Sequence, residues 1–174
     1  MKDECPPDVL SRRLGYLLKH AYVAMAAEMD AALAPFRLCP RELGVMAVIA
    51  AACEQPSQLE IAARLGVDRT TMVGVIDSLE SKGYVERHRS DRDRRRNVVT
   101  LTAAGQLCLG EAEVARERVE RDFLAPLDET SATALTEALV TLHRARADTD
   151  LSDSGRVVAG HRAATAGAPY GGCA

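Results

Sequence analysis

Apolar residues recur every three or four positions along most of the chain, the spacing of one face of an α-helix. This pattern predicts helices over residues 9–33, 41–52, 58–65, 69–82, 103–124 and 131–146. The second of these, which contains LGVMAVIAAA, is apolar nearly all round and should therefore be buried. Two β-type runs, YVERH and NVVTL, flank the segment SDRDRRR and predict a β-hairpin between the fourth and fifth helices.

Capping residues divide the central part of the chain into two short helices. Ser57 and Glu60 have the spacing of a capping box, Gly66 should end the third helix, and Asp68 should cap the fourth. Two capped helices joined by a short turn containing glycine predict a helix-turn-helix. Met72, Val75, Ile76 and Leu79 should form the inner face of the fourth helix. The opposite face is polar and slim, as expected for a helix that lies in a groove of DNA, and contains Thr70, Gly74, Asp77 and Ser81.

The hairpin tip is strongly basic. Residues 87–96 contain six arginines and two aspartates, a formal charge of +4, in a chain whose formal net charge is −3. A solvated charged turn is one interpretation of such a run. The position directly after a helix-turn-helix favours contact with nucleic acid, because arginine binds well in narrow minor grooves of negative potential. The order of these helices and strands predicts a mainly α fold with a small β wing, that is, a winged helix-turn-helix with a helical dimerisation unit.

The stretch from Gln58 to Gly105 resembles the winged helix of MarR-type transcriptional regulators. The wing signature of that family is D-x-R, five further residues, and then L-T-x-x-G. In this chain it is matched by Asp93, Arg95, Leu101, Thr102 and Gly105. The resemblance extends in helix order from about residue 9 to residue 146.

The resemblance implies a homodimeric regulator, most often a repressor, that binds a near-palindromic operator in double-stranded DNA. Residues 9–34 and 103–147 would form the dimerisation region, and residues 35–102 the DNA-binding lobe. Residues 1–8 are expected to be a flexible arm. Residues 148–174 are rich in Gly and Ala, and we expect them to be disordered because they have few large apolar residues to bury.

The resemblance also assigns roles along the recognition helix and the wing. Arg69 is expected at a phosphate, and Asp93 is expected to brace the wing turn rather than to bind DNA. Gly74 departs from relatives that carry a larger polar residue, so closer helix approach replaces base reading there. Residues expected at base edges or the groove wall are Thr70, Thr71, Gly74 and Ser78. Arginines expected on the wing are Arg87, Arg89, Arg92, Arg94, Arg95 and Arg96.

Members of the family often respond to a small aromatic or phenolic effector that binds between the two regions. Tyr16, His20 and Met46 are the candidate ligand-binding residues, although Tyr16 and His20 would equally suit a partly buried interface. Peroxide-sensing members carry a cysteine where this chain has Gly15. The candidates for a redox-responsive regulator of the same fold are Cys39, Cys53 and Cys108.

Several classes of function are disfavoured. The chain has five cysteines without a CxxC pair, so no zinc pattern fits and we expect reduced thiols. No cofactor motif, paired catalytic carboxylates or nucleophile motif is present, which argues against an enzyme. No apolar run reaches the length of a membrane span, and the N-terminus lacks a signal core, so a cytoplasmic location is expected. An interaction module that uses the basic wing on an acidic protein is the remaining alternative.

Overall fold

The computed structural model describes residue 10 and residues 12–90 and 97–153, with side chains described as far as residue 145. The chain divides after Glu120 into two compact units. The described part of the first unit ends at Glu120, and that of the second begins at Arg121. The expected arm at residues 1–8, the wing tip at 91–96 and residues 154–174 lie outside the described residues.

The elements follow the predicted order, and the predicted fold class is confirmed. The helices are α1 (Leu14–Leu33), α2 (Pro40–Ala50), α3 (Gln58–Leu65), α4 (Arg69–Ser81), α5 (Ala103–Leu124) and α6 (Glu129–Asp153). A short 3₁₀ turn, Ala34–Phe36, follows α1. The strands are β1 (Val85–Arg89) and β2 (Asn97–Leu101), which pair antiparallel as a two-stranded sheet.

The boundaries of the first and last helices differ from the expectation. The first helix begins at Leu14 rather than at residue 9. The last helix is capped by Asp128, whose carboxylate accepts the backbone N–H of Ser131 at 2.7 Å, so it begins at Glu129 rather than at residue 131. That helix continues to Asp153, which makes residues 148–153 helical although we expected them in a disordered tail. Extending an existing helix needs no new nucleus, so a weakly apolar continuation is sufficient.

The core of the first unit lies where α2, α3, α4 and the hairpin meet. Leu33, Val45, Met46, Ile61, Ile76 and Leu79 are fully buried there. Val99 of β2 is buried as well, and its N–H donates to the Pro56 carbonyl at 2.9 Å, which fixes the hairpin to the α2–α3 loop. The burial of α2 confirms the prediction made from its apolar sequence. Over the described ranges, no helix is long and apolar enough to cross a membrane.

Candidate nucleic-acid interface

Local hydrogen bonds set the helix-turn-helix. Ser57 Oγ accepts the N–H of Glu60 at 3.4 Å, and the Glu60 carboxylate accepts the N–H of Ser57 at 2.7 Å, which confirms the capping box. Gly66 ends α3 with φ of 63°, a left-handed conformation that favours glycine. Asp68 Oδ1 then accepts the N–H of Thr71 at 3.0 Å and caps α4. The hydrogen bonds from Thr71 also lower the pKa of Asp68 below its ordinary value of 3.8.

Helix α4 has the two faces that its sequence predicts. Met72, Val75, Ile76 and Leu79 are buried in the core. The opposite side is exposed, and Gly74 there has open space around the position that a Cβ would occupy. Exposed residues on this side are Arg69, Thr70, Gly74, Asp77 and Ser81. The helix therefore presents a narrow polar surface at its first turns, where a helix in a groove meets base edges.

A buried carboxylate holds the far end of α4. Glu42 of α2 is 1% exposed and accepts hydrogen bonds from Ser78 Oγ at 2.7 Å and from Lys82 Nζ at 2.5 Å. Its other oxygen accepts the backbone N–H of Cys39 at 2.9 Å. Glu42 therefore ties the start of α2 to the end of α4. The Ser78 hydroxyl, expected at DNA, donates inward instead.

Arg87 of the wing is also committed within the protein. Its guanidinium is ion-paired with Asp77 and Glu80 on α4. The side-chain oxygen of Gln58 on α3, in the amide orientation that satisfies both of its ends, accepts from Nε and Nη2 at 2.6 and 2.9 Å. Arg87 thus braces β1 against the helix-turn-helix, a role that the assignment to DNA did not foresee.

The other residues that the sequence assigned to the recognition helix and the wing divide into three groups. The Thr71 hydroxyl donates to Asp68 Oδ2 at 2.6 Å and so supports the cap of α4. Arg89 is exposed at the end of β1, opposite Asn97. The wing-tip positions, which fall outside the described residues, are Arg92, Asp93, Arg94, Arg95 and Arg96.

The returning strand is joined closely to α5. Thr102 donates its backbone N–H to the Tyr84 carbonyl at 3.0 Å and its hydroxyl to the Gly83 carbonyl at 2.6 Å. Thr102 Oγ1 accepts the N–H of Gly105 at 3.0 Å and so caps the start of α5. A Cβ on Gly105 would lie 2.0 Å from the Tyr84 carbonyl oxygen, so this glycine permits the close approach. A hydrogen bond with Cys108 and burial raise the pKa of Tyr84 above 10.0.

A cavity of about 350 Å³ lies among α1, α2 and α5. Its lining residues are Tyr22, Met25, Ala26, Met29, Asp30, Pro40, Leu43, Gly44, Ala47, Glu113, Arg116 and Glu120. None of the predicted ligand residues is among them. The rings of Tyr16 and His20 contact each other with centroids 4.1 Å apart, nearer the start of α1. Met46 is 0% exposed in the core and does not line this cavity, and its ligand role stays a prediction.

The cysteines differ from one another. Cys39 is disulfide-bonded, so the expectation of reduced thiols is wrong at this position. Cys53 is an exposed free thiol and Cys108 a buried one. A redox response through Cys39, Cys53 or Cys108 stays a prediction. Over the residues for which side chains are described, no group of three metal-binding side chains comes together.

These features define a winged helix-turn-helix protein, and comparison with known proteins identifies its family. The model of the MarR family matches residues 39–96. A protein of Thauera aromatica named "Putative transcriptional regulatory protein for hcr operon" is 30% identical over 143 residues, covering 80% of this chain and 84% of the relative. The chain belongs to the MarR family of transcriptional regulators.

Solved structures agree with this assignment. The transcriptional repressor CouR bound to a 23-mer DNA duplex is 32% identical, with a TM-score of 0.73 over 80% of this chain and 99% of that chain. CouR bound to p-coumaroyl-CoA is likewise 32% identical, with a TM-score of 0.70 over 78% of this chain and 94% of that chain.

Proposed function

We propose that this protein is a homodimeric, sequence-specific repressor that binds a near-palindromic operator and is released from it by a small aromatic or phenolic effector. The observation that carries this proposal is the exposed polar face of α4 beside a wing that is braced to the same lobe by Arg87. A regulator of chromosomal DNA would act in the cytoplasm. The DNA complex of CouR supports the same use of this fold.

The geometry supports a narrower set of DNA contacts than the sequence suggested. On α4 we assign Arg69 to phosphate, Thr70 to base edges and Gly74 to the groove wall. On the wing we retain Arg89 and the four tip arginines, Arg92, Arg94, Arg95 and Arg96. We place Thr71, Ser78 and Arg87 in supporting roles, because their polar groups bind Asp68, Glu42 and the α4 carboxylates.

Dimerisation is supported by apolar surface on the helices assigned to the dimerisation region. Five large apolar side chains of α1 are between 43% and 67% exposed: Leu14, Leu17, Leu18, Tyr22 and Val23. On α6, four others are between 38% and 54% exposed: Leu135, Leu139, Val140 and Leu142. Contiguous exposed apolar surface of this kind marks an interface. Residues 9–34 and 103–147 are therefore proposed as the dimerisation region, with residues 35–102 as the DNA-binding lobe.

The cavity among α1, α2 and α5 is the candidate effector site. It lies where helices of the dimerisation region meet α2 of the DNA-binding lobe, so a bound molecule could change the position of one relative to the other. The CouR complex with p-coumaroyl-CoA supports control by a small molecule in this family.

A gel-shift assay with DNA from upstream of the protein's own gene tests the DNA-binding part of the proposal. Arg95→Ala should weaken binding about tenfold or more, because it removes a charged contact to the DNA. Size-exclusion chromatography and circular dichroism should show an unchanged dimer and fold. Arg144→Ala, which removes an exposed arginine from α6, is the matched control and should bind as wild type. Unchanged affinity in Arg95→Ala would contradict the assigned wing contact.

A further inference from the structure

The cavity among α1, α2 and α5 has an apolar interior. Met25 and Met29 of α1 face it from one side, and Pro40, Leu43 and Ala47 line it from α2. A volume of about 350 Å³ is at the lower end of the range for small-molecule sites, and it suits a fused aromatic ring system with one substituent. Methionine side chains adapt readily to flat rings.

Helix α5 supplies the basic group of the cavity, Arg116, which is already bound to carboxylates of the protein. Arg116 Nε donates to Glu113 Oε2 at 2.5 Å, and Nη1 donates to Glu120 Oε2 at 2.6 Å. Nη2 lies 3.5 Å from Glu117 Oε1, outside the cavity lining. Each nitrogen of the guanidinium therefore faces a carboxylate of the protein, and an incoming anion would have to displace one of them.

Acidic groups outnumber basic groups around this cavity. Its lining contains the carboxylates of Asp30, Glu113 and Glu120 and the single guanidinium of Arg116, a formal net charge of −2. A ligand carboxylate would enter an apolar site against this excess of like charge, which is unfavourable because a buried charge needs a partner. A ligand cation would meet unbalanced carboxylates, and Tyr22 supplies an aromatic ring that attracts cations.

We propose that this cavity binds an aromatic ligand that carries a cationic group such as an ammonium, with the rings against α1 and α2 and the cation at the carboxylates of Asp30 and Glu120. This inference rests on the proposed function, in which the same cavity is the effector site. The proposed ligand differs in charge from the ligand of the related repressor CouR. CouR binds p-coumaroyl-CoA, which carries phosphate groups and is therefore anionic.

Three probes test the inference, because they share one ring system and carry one-carbon substituents of different charge. They are 2-naphthylmethylamine, which is cationic at neutral pH, the neutral 2-naphthalenemethanol, and the anionic 2-naphthoate. Isothermal titration of the full-length protein at low salt should show the cation binding about tenfold or more tighter than the alcohol, with the anion weakest. Raising the salt concentration should reduce the difference.

Two charge-neutralising variants show which carboxylate causes the preference for the cationic probe. Glu120→Gln should reduce the preference for the cation over the anion about tenfold, because it removes one carboxylate and frees part of Arg116. Glu117→Gln is the matched control: it also removes a carboxylate near Arg116, but Glu117 is 66% exposed and does not line the cavity. The Glu117→Gln variant should keep the wild-type preference for the cationic probe over the anionic probe.

The outcomes separate this inference from the proposed function. Equal or tighter binding of 2-naphthoate, or binding of none of the probes, would overturn the cationic ligand class. Operator binding by the ligand-free protein is measured separately by gel shift. If that binding is absent, the proposed regulatory function is contradicted, whichever probe binds to the cavity. The expected result is an intact operator complex that 2-naphthylmethylamine dissociates at lower concentration than either other probe.

Discussion

Replacing Gly105 with alanine should disturb the contact between the wing and α5. Gly105 lies in the first turn of α5, and the backbone of Tyr84 passes directly over it. A Cβ at this position would lie 2.0 Å from the Tyr84 carbonyl oxygen, 2.8 Å from the carbonyl carbon and 3.1 Å from Cα. Since the obstacle is backbone, no side-chain rotation relieves it. The two segments must separate by about 1.4 Å to lengthen the contact from 2.0 Å to the 3.4 Å of an ordinary van der Waals contact.

The size of the effect follows from three contributions. Overpacking of this kind costs about 1–3 kcal/mol. The Tyr84 carbonyl also accepts the N–H of Thr102 at 3.0 Å, and weakening that hydrogen bond adds about 1 kcal/mol. Alanine in place of glycine stabilises a helix by about 1 kcal/mol, which offsets part of the loss. The expected net destabilisation is about 2 kcal/mol, equivalent to a fall in Tm of about 4–8 °C for a chain of this size.

Gly110 provides the matched control, because it lies in the same helix with open space at its Cβ position. Gly110→Ala should raise Tm by about 2–4 °C, through helix propensity alone. Thermal denaturation followed by circular dichroism measures both variants. One fixed protein concentration is used, because the proposed dimerisation would make Tm depend on concentration. A Tm of Gly105→Ala at or above the wild-type value would refute the steric reasoning.

Three further predictions concern single side chains. Arg87→Met should lower Tm by about 2–4 °C by removing its ion pairs, whereas Arg89→Met should weaken DNA binding at unchanged Tm; the reverse pattern would contradict these roles. Because the pKa of Asp68 is lowered, its capping contribution to stability is present above about pH 4 and is lost as pH falls through the lowered pKa. Asp68→Asn should therefore lose less Tm than the wild type between pH 6 and 3, and an identical pH profile of Tm would refute this. Leu17→Glu should convert the dimer to a monomer in sedimentation velocity, whereas Leu59→Glu, an equally drastic change on α3, should not; a dimeric Leu17→Glu would contradict the assigned interface.

Features governed by near neighbours in the chain could be predicted from the sequence. The caps at Ser57, Asp68 and Thr102 join residues only three positions apart, so their partners can be identified in the sequence. The buried face of α4 follows from helical periodicity alone. Asp128 was missed because two capping residues, Asp128 and Ser131, stand close together, and only the structure shows which one accepts the N–H.

Features that join distant parts of the chain could not be predicted in this way. Glu42 binds Ser78 and Lys82 across 36 and 40 positions, and no local pattern marks such a pairing. The one signal available in the sequence was that Glu42 is a single acidic residue at the start of a nearly all-apolar helix. Arg87 looked like part of a uniform basic run, although acidic partners on the preceding helix engage it. Met46 was assigned a ligand role by residue type, and local sequence did not show that the packing of α2 buries it in the core.

The central claim, that the lobe formed by α3, α4 and the wing recognises a specific DNA sequence, is tested most directly by fluorescence anisotropy. The wild-type protein is titrated against a labelled duplex from upstream of its own gene and against a scrambled duplex of equal composition, across a series of salt concentrations. We predict tighter binding to the upstream duplex, with affinity falling on a log–log plot by a slope of about 0.9 per phosphate contacted. Equal affinity for the two duplexes, or affinity that does not change with salt, would contradict the claim.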